Sequence, residues 1–373
     1  MDNYPLISIL VFVYNNQRYL YENLRSVFEQ SYPNIELLVN DDGSDDFDID
    51  AISAWISNNK TDNIKNVVLN RNDVNLGSVK SVETLQKLSH GEWLFNIAAD
   101  DTFYDNNVIS ALYNSATQYN HAEVITAQTL MYDNSLKKVL YPAMSKEDIA
   151  FLKKSTIQEI LNRTIESCWL PAAYLYKRTV LPLIGIISDD YRIIEDIVTQ
   201  IRLIRQGIRP YFCDITSTIK HRDGGISHGA IGIPTLVQLY YKQDCVTFYE
   251  KEVIPYRDIF AEESIKKAMQ VYSYAAYDSI ESHINYMLPN NKKQLCRDID
   301  NITYLIKFSR KKMVITYFVA AFLLFCIGLL SVGFDMSIFT VSIKLIPFAF
   351  SFLVIIVCIC AVIVNIYYRI KQK

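Results

Sequence analysis

The feature that most constrains this sequence is an alternation of short apolar runs with amphipathic stretches over its N-terminal third. Residues 6–14, 35–39, 66–70 and 92–99 are mostly apolar, with many β-branched or aromatic side chains, as in buried strands. Between these runs apolar residues recur at helical spacing, for example at Leu20, Leu24 and Val27. Strands that alternate with helices are typical of βαβ units. The sequence therefore predicts an α/β, Rossmann-like fold with a mainly parallel sheet flanked by helices.

Two long apolar runs lie near the C-terminus. Residues 313–334 and 345–368 carry no charge, and each exceeds the roughly 20 residues that cross a bilayer as a helix. Lys and Arg flank the outer side of both runs, which by the positive-inside rule places both ends in the cytoplasm. We therefore expect a C-terminal two-helix transmembrane hairpin in the plasma (inner) membrane. The start of the chain lacks the features of a signal peptide, so the region before the hairpin is expected to be cytoplasmic.

The patterning predicts three parts. Residues 1–232 hold the strand and helix alternation and a mixed region after it, residues 233–312 form a helical juxtamembrane region, and residues 313–373 form the hairpin with a short cytoplasmic tail. The helical region is rich in tyrosine, and its helices could pack against a second copy of the chain. A homo-oligomer is therefore a further expectation.

Charge and cysteine content exclude other classes of protein. The seven cysteines are scattered and form no Cys-x-x-Cys pair, which argues against a disulfide framework or a zinc site. The formal net charge is −3, and basic tracts occur only beside the apolar runs. Nucleic acid is therefore excluded as an expected partner.

Paired acids follow two of the predicted strands. Asp41 and Asp42 come directly after the second strand, and Asp100 and Asp101 come after the fourth. In open α/β sheets ligands bind outside the carboxyl ends of the strands, so both pairs fall at the expected ligand edge. Carboxylate oxygens suit Mg²⁺ or Mn²⁺, which also bind phosphate oxygens. The competing interpretations are a plain turn for Asp-Asp-Gly-Ser and a helix cap or solvated loop for Ala-Asp-Asp.

Several further motifs occur in a fixed order with these acids. The chain reads "PLISILVFVYNN", "QSYP", "NDDGSDD", "VNLG", "GEWLFNIAADD", "EDI" and "HRDGGIS" between residues 5 and 227. This series resembles inverting, family-2-type glycosyltransferases with the GT-A fold, over about residues 5–230. The resemblance implies that residues 1–232 are a GT-A catalytic domain that takes a nucleotide diphosphate sugar, with a UDP-sugar favoured. It departs from the family at Ala98, which stands where the first acid of the metal motif is usual and puts metal dependence in question.

The resemblance assigns roles to the strand-end residues. It implies that Asp41 accepts a hydrogen bond from the nucleotide base near Tyr14, and that Asp100 and Asp101 bind a divalent cation, Mn²⁺ or Mg²⁺, with the donor diphosphate. Arg71 and Lys80 are spare cations at the same edge, although such residues are more often solvated. The expected donor-binding residues are Tyr14, Asp41, Asp42, Arg71, Lys80, Asp100, His221 and Arg222.

Asp196 is the expected catalytic residue. An inverting transfer is a single displacement, in which one carboxylate suffices as the general base for the acceptor hydroxyl. The resemblance places that base in the Glu-Asp pair at a helix start, whereas in isolation acids there would serve the helix dipole. His221 and Arg222 open a glycine-bearing stretch that could close over a phosphate or form a surface turn.

The expected product is a bacterial surface polysaccharide: capsule, O-antigen or exopolysaccharide. The predicted membrane hairpin makes a lipid-linked saccharide the expected acceptor. Two alternatives stay open. One is a polyprenyl-phosphate glycosyltransferase, whose acceptor is the lipid phosphate itself. The other is a catalytically degenerate GT-A fold that acts as a membrane scaffold, which the missing acid at Ala98 would explain.

Overall fold

The computed structural model describes residues 4–119, 122–223 and 235–287. The strands in these ranges are β1 (Ile7–Val13), β2 (Ile35–Asp41), β3 (Ile64–Arg71), β4 (Trp93–Ala98), β5 (Thr102–Phe103), β6 (Val124–Thr126), β7 (Leu130–Tyr132), β8 (Val139–Pro142), β9 (Tyr174–Lys177), β10 (Pro210–Phe212) and β11 (Ile219–Arg222). The α-helices are α1 (Gln17–Phe28), α2 (Ile49–Asn59), α3 (Ser78–Leu88), α4 (Val108–Gln118), α5 (Lys146–Lys154), α6 (Ile157–Glu166), α7 (Leu181–Ile184), α8 (Glu195–Arg205), α9 (Leu236–Phe248) and α10 (Glu262–Met287).

The larger sheet in the described part of the chain has the strand order β10-β6-β9-β4-β1-β2-β3. The strands β3, β2, β1 and β4 run parallel to one another, and β10 runs parallel to β6. Only β9 opposes its neighbours β4 and β6. Helices α1, α2 and α3 connect the first four strands in sequence. This arrangement confirms the predicted α/β architecture, with a mainly parallel sheet flanked by helices.

Burial explains why the apolar runs became the central strands. Every residue of β2 is buried, and in β1 only Phe12 is partly accessible. A fully buried Leu or Ile side chain stabilises the fold by roughly 1.5–3 kcal/mol, so these strands anchor the core. On α1 the apolar stripe predicted from spacing is buried at Leu20, Leu24 and Val27. The core therefore lies where the sequence places it, between the sheet and its helices.

A smaller sheet has the order β5-β11-β7-β8 in the described residues. β7 and β8 pair in antiparallel fashion, with Met131 opposite Tyr141. β11 lies between β5 and β7, so that Arg222 is in register with Tyr132. His221 and Arg222 thus belong to a strand rather than to a mobile loop. The glycine-bearing stretch after them, residues 224–234, lies outside the described residues.

The helical region after residue 235 packs against α8. Glu252 accepts hydrogen bonds from Arg202 at 2.8 Å and from Arg205 at 2.9 Å. Because Glu252 is almost fully buried and both guanidinium groups are nearly so, the three charges compensate one another away from water. The described residues up to Tyr286 form one compact unit. The boundary predicted at 232 and 233 stays a prediction.

The transmembrane part of the predicted fold class needs correction. Among residues 4–119, 122–223 and 235–287, no helix is both long enough and apolar enough to cross a bilayer. The two apolar runs on which the hairpin was predicted, residues 313–334 and 345–368, lie outside the described residues. The fold of the described residues is therefore α/β, and no described helix supports the predicted C-terminal hairpin, which rested on apolar length in the sequence.

Candidate functional site

The site lies where three central strands end together. Val13 of β1 is in register with Asp41 of β2, and Phe12 is in register with Ala98 of β4. The strands run parallel, so their carboxyl ends meet at one edge and bring the two acidic turns side by side. Tyr14 follows β1 at this edge with 39% of its surface exposed, so its ring is accessible to a planar ligand.

Asp41 is bound by its own turn. Its carboxylate accepts a 2.5 Å hydrogen bond from the Ser44 hydroxyl and a 3.1 Å bond from the Ser44 N–H. Arg71 lies 3.3 Å from the same carboxylate and donates to the carbonyls of Ser44 and Phe47. Asp41 is fully buried. Asp41 and Arg71 therefore hold the shape of the turn, and their predicted role in donor binding stays a prediction.

Asp42 fixes a second loop. One carboxylate oxygen accepts hydrogen bonds from Asn72 at 2.8 Å and from the Leu76 N–H at 2.9 Å, and the other accepts from the Gly77 N–H at 2.7 Å. Gly77 has a φ of +96°, and a Cβ there would come within 2.4 Å of the Arg192 carbonyl oxygen. Only glycine fits this close approach. Asp42 therefore ties the Val-Asn-Leu-Gly motif to the end of β2.

Asp100 and Asp101 differ in their surroundings. Asp101 is buried; His221 Nδ1–H donates to one of its oxygens at 2.8 Å and the Arg222 N–H donates to the other at 3.1 Å. Burial, and then the adjacent charge of Asp101, raise the pKa of Asp100 to about 6 against the opposing charges of His221 and Arg222. The two acids thus have separate tasks: Asp101 orients β11, and Asp100 presents a partly buried carboxylate to the site.

His221 is a fixed cation at this edge. Burial acts against the charged ring, but the charge and hydrogen bond of Asp101, with the charges of Asp100 and Asp196, raise the pKa of His221 to about 9. Its side chain keeps 32% of its surface exposed. Since Nδ1 is engaged with Asp101, the Nε2–H of the imidazolium is the donor left for an anionic ligand.

Arg222 faces inward. Its Nε donates to the Asp100 carbonyl at 2.6 Å, and its other nitrogens contact the Asn134 carbonyl and the Glu22 carboxylate. Its guanidinium lies 4.2 Å from the centre of the Tyr19 ring. Only 5% of the residue is exposed. The structure therefore uses this predicted phosphate ligand to support the turn that carries Asp100.

Lys80 also has partners within the protein. Its Nζ lies 3.3 Å from the Ser188 hydroxyl and 3.7 Å from Glu83. Glu83 in turn accepts hydrogen bonds from the Ile187 and Ser188 N–H groups at 2.7 and 2.9 Å. Lys80 and Glu83 thus anchor the segment that leads toward α8.

Sequence reasoning missed Asn23, a residue of α1 that binds the turn containing Asp100. It is fully buried on α1, and its Nδ2 donates to the carbonyls of Ala98 at 3.1 Å and Asp101 at 2.8 Å. The available signal was its position, because it lies within the apolar stripe formed by Leu20, Leu24 and Val27. A polar side chain there needs a partner across the interface.

Asp196 lies in the first turn of α8, close enough to His221 for their charges to interact. Burial raises the pKa of Asp196, against hydrogen bonds from the backbone N–H groups of Ile197 and Asp196 itself. Burial and the Asp196 charge likewise raise the pKa of Glu195, which contacts the Ser78 hydroxyl at 3.4 Å. A partly buried carboxylate with a raised pKa, within electrostatic range of His221, suits a general base.

A divalent cation would depend on Asp100. Within the described ranges, no three His, Cys, Asp or Glu side chains come together as a metal-binding group. Both Asp101 oxygens are already bound, so the chain offers mainly the Asp100 carboxylate. Mg²⁺ is commonly held by one or two carboxylates together with substrate phosphates, and this donor set fits that mode.

Much of the site lies within residues that match a family model. Residues 8–178 match the model of Glycosyl transferase family 2. The match covers less than half of the chain. It includes both acidic turns, whereas Asp196, His221 and Arg222 lie beyond the matched residues.

Two curated relatives and one solved structure illustrate the likeness. Glycosyltransferase GlyG of Streptococcus pneumoniae serotype 4 (strain ATCC BAA-334 / TIGR4) is 30% identical over 158 residues, which are 42% of this chain and 50% of that protein. The glycosyl transferase WcaA of Escherichia coli (strain K12), assigned by name to colanic acid biosynthesis, is 26% identical over 42% of this chain and 56% of its own. S. aureus TarS 1-349 in complex with UDP has a TM-score of 0.47 at 15% identity, over 77% of this chain and 76% of that one.

The chain thus spans about half the length of the curated relatives it matches. The family domain and the glycosyltransferase relatives support a transferase.

Proposed function

We propose that the protein transfers a sugar from a nucleotide diphosphate sugar to a hydroxyl group of a saccharide, with inversion at the anomeric carbon. The observation that carries this proposal is the placement of Asp196. A partly buried carboxylate with a raised pKa lies at the start of α8, within electrostatic range of the His221 cation that Asp101 holds at the strand edge.

The donor diphosphate would bind between Asp100 and His221. A protonated His221 donates from Nε2 to a phosphate oxygen, and its charge offsets part of the diphosphate charge. A divalent cation held by Asp100 and the phosphates would supply charge stabilisation to the leaving group. The nucleotide base would lie near exposed Tyr14, whose ring can stack on it. A UDP-sugar remains the favoured donor.

Asp196 would act in the bond-making step. The acceptor oxygen forms the new bond to the anomeric carbon while the bond to the diphosphate breaks, and the hydroxyl proton passes to Asp196. Burial supports this role, because a carboxylate whose pKa is raised accepts a proton more readily near neutral pH. A single displacement needs no covalent nucleophile.

The acceptor would be a growing surface polysaccharide. The name of the Escherichia coli relative, which refers to colanic acid biosynthesis, supports a saccharide acceptor of this kind. We propose further that this saccharide is linked to a lipid carrier, as acceptors in surface polysaccharide synthesis commonly are.

Nucleotide release from a panel of UDP-, GDP- and dTDP-sugars, with and without Mn²⁺, tests the proposal. We expect one donor to be hydrolysed slowly without acceptor, in a reaction that depends on Mn²⁺ and is lost in Asp100→Asn. Asp105→Asn, an exposed change in the same turn region, is the matched control and should behave as wild type. If no donor reacts and calorimetry detects no donor binding, the protein is the scaffold rather than the enzyme.

A further inference from the structure

A buried acid of α9 grips the segment that leads into α8. One carboxylate oxygen of Asp244 accepts hydrogen bonds from three consecutive backbone N–H groups: Arg192 at 2.9 Å, Ile193 at 2.6 Å and Ile194 at 3.3 Å. Asp244 is only 5% exposed. These three residues directly precede Glu195 and Asp196, so the acid of one helix fixes the approach to another.

The backbone N–H groups of residues 192–194 need a hydrogen-bond acceptor from outside α8. Ile194 occupies the N-cap position of α8, and its apolar side chain cannot accept a backbone hydrogen bond. Asp244, on a helix about 50 residues further along the chain, instead accepts from the Ile194 N–H itself and from the two N–H groups before it. Its negative charge also lies near the positive end of the α8 dipole. The backbone that leads into α8 is therefore held by α9.

The segment is fixed from its other side as well. The Arg192 guanidinium donates to the carbonyl and the side-chain oxygen of Asn75 at 2.7 and 2.6 Å, and the Arg192 carbonyl accepts from the Val79 N–H at 3.2 Å. Asn75 belongs to the loop that Asp42 holds at the end of β2. The residues before Asp196 are thus held between α9 and the loop of residues 72–77 that Asp42 binds.

We propose that Asp244 is a positioning residue for glycosyl transfer: it holds residues 192–194 so that Asp196 meets the acceptor hydroxyl in reactive geometry. The proposal rests on the proposed function, since it assumes that Asp196 is the base. It extends the active site beyond the matched family domain, into a helix that sequence patterning placed in a separate helical region.

Two substitutions separate this role from general packing. Asp244→Ala removes the acceptor of all three N–H groups, whereas Asp244→Asn keeps one side-chain oxygen in place. Asp278→Ala is the matched control, because it removes an acid that pairs at 2.7 Å with Lys242, on the same α9 as Asp244. Each variant is measured in the full chain for kcat, for the KM of the donor and for thermal stability.

We expect Asp244→Ala to lower kcat about 100-fold, the scale of a misplaced catalytic group, and Asp244→Asn to recover about tenfold of that loss. The donor KM should stay within about twofold of wild type, because the diphosphate site lies on β4 and β11. Asp278→Ala should keep wild-type kcat. An Asp244→Ala protein with wild-type kcat, or one whose lost activity only matches its lost folded fraction, would overturn the proposal.

Amide hydrogen exchange gives a readout that does not depend on activity. Residues 192–194 should exchange slowly in wild type and at least about tenfold faster in Asp244→Ala, because their N–H groups lose their acceptor. Unchanged exchange overturns the proposal. If wild type transfers no sugar while these amides still lose protection in the variant, the failure belongs to the proposed function and not to the grip of Asp244.

Discussion

Two sets of acids in the candidate site differ in their hydrogen bonding and in the effect of burial on them. At the end of β2, Asp41 and Asp42 are buried and bound by hydroxyl, amide and backbone donors of neighbouring loops. Near β4 and α8, burial raises the pKa values of Asp100 and Asp196. The first set is held in place by hydrogen bonds within the protein. In the second set burial disfavours the charged form, as suits a carboxylate that is to bind a cation or take up a proton.

The difference teaches where to look for chemistry among many acids. A buried carboxylate with several hydrogen-bond donors contributes to the fold, and it costs stability when removed. A buried carboxylate whose charge is poorly compensated costs stability while present, which is tolerated where it serves a function. Substitutions in the two sets should therefore have opposite signatures in stability and activity.

The largest expected effect is on catalysis at Asp196. Asp196→Asn should lower the rate of transfer by about 10²–10⁴-fold, because the acceptor hydroxyl loses its general base. Donor affinity and thermal stability should stay near wild type. Steady-state kinetics with donor and saccharide acceptor measures this, with Asp190→Asn, an exposed acid in the segment before α8, as the control. Transfer that survives in Asp196→Asn would instead favour a lipid phosphate as the acceptor.

The next effect is on stability at Asp42. Asp42→Ala should lower the free energy of unfolding by about 3 kcal/mol, because three donors lose their acceptor inside the protein. Urea denaturation of Asp42→Ala beside Asp100→Asn makes the comparison directly. Asp100→Asn should cost less than about 1 kcal/mol, since its charge is already disfavoured by burial. Equal losses in the two variants would remove the distinction between the two sets.

A smaller effect concerns donor affinity at Asp100. Asp100→Asn should weaken donor binding in the presence of Mn²⁺ by about 10- to 100-fold, as expected when a metal site loses a supporting group. Binding without metal should change much less. Titration calorimetry with and without Mn²⁺ measures both values, and an equal loss in the two conditions would show that Asp100 acts without a cation.

The smallest effect lies at the opposite end of β2, at Glu36. Burial acts to raise its pKa, but hydrogen bonds from the His90 backbone, from Ser8, from the His90 ring and from Asn66 outweigh it and lower the pKa to about 2. A carboxyl group whose pKa is lowered by folding stabilises the folded state at pH values above its pKa in the unfolded chain. That contribution is lost as the pH falls toward 2. After allowance for solvent screening, the contribution is about 2 kcal/mol.

Urea denaturation between pH 6 and pH 2.5 would measure this pH dependence, with ranges chosen around the ordinary carboxyl pKa of about 4.3. Wild type should lose more stability with falling pH than Glu36→Gln, and Glu29→Gln, an exposed acid on the nearby end of α1, should follow wild type. Parallel curves for wild type and Glu36→Gln would show that hydrogen bonds to the Glu36 carboxylate do not stabilise the fold in the way that those to Asp41 and Asp42 are expected to.

The sequence predicts the frame of the site because that frame is periodic and local. Buried strands ending in Asp41 and Asp100 follow from apolar runs and from the rule that parallel strands end at one edge. The first-turn position of Asp196 on a helix follows from the spacing of Ile197, Ile201 and Ile204, which α8 confirms. The amphipathic stripe of α1 is likewise visible without coordinates.

The sequence does not predict which polar side chains are bound to partners within the protein and so are not available to a ligand. Arg222 faces Glu22, 200 residues earlier, and Asp244 reaches Ile193, 51 residues earlier. Such pairings depend on how distant elements dock, which residue type and spacing do not encode. The "HRDGGIS" motif illustrates this. Its first two residues end the strand β11, and Arg222 contacts Asp101 and Glu22 of α1.

The most direct test of the account is the anomeric configuration of the product. With an α-linked donor identified from the panel, proton NMR of the transferred sugar reports the configuration of the new bond. A single displacement assisted by Asp196 predicts a β-linked product. An α-linked product would contradict the account, because retention requires a second displacement or a different geometry of attack, in which Asp196 could not act as the lone base.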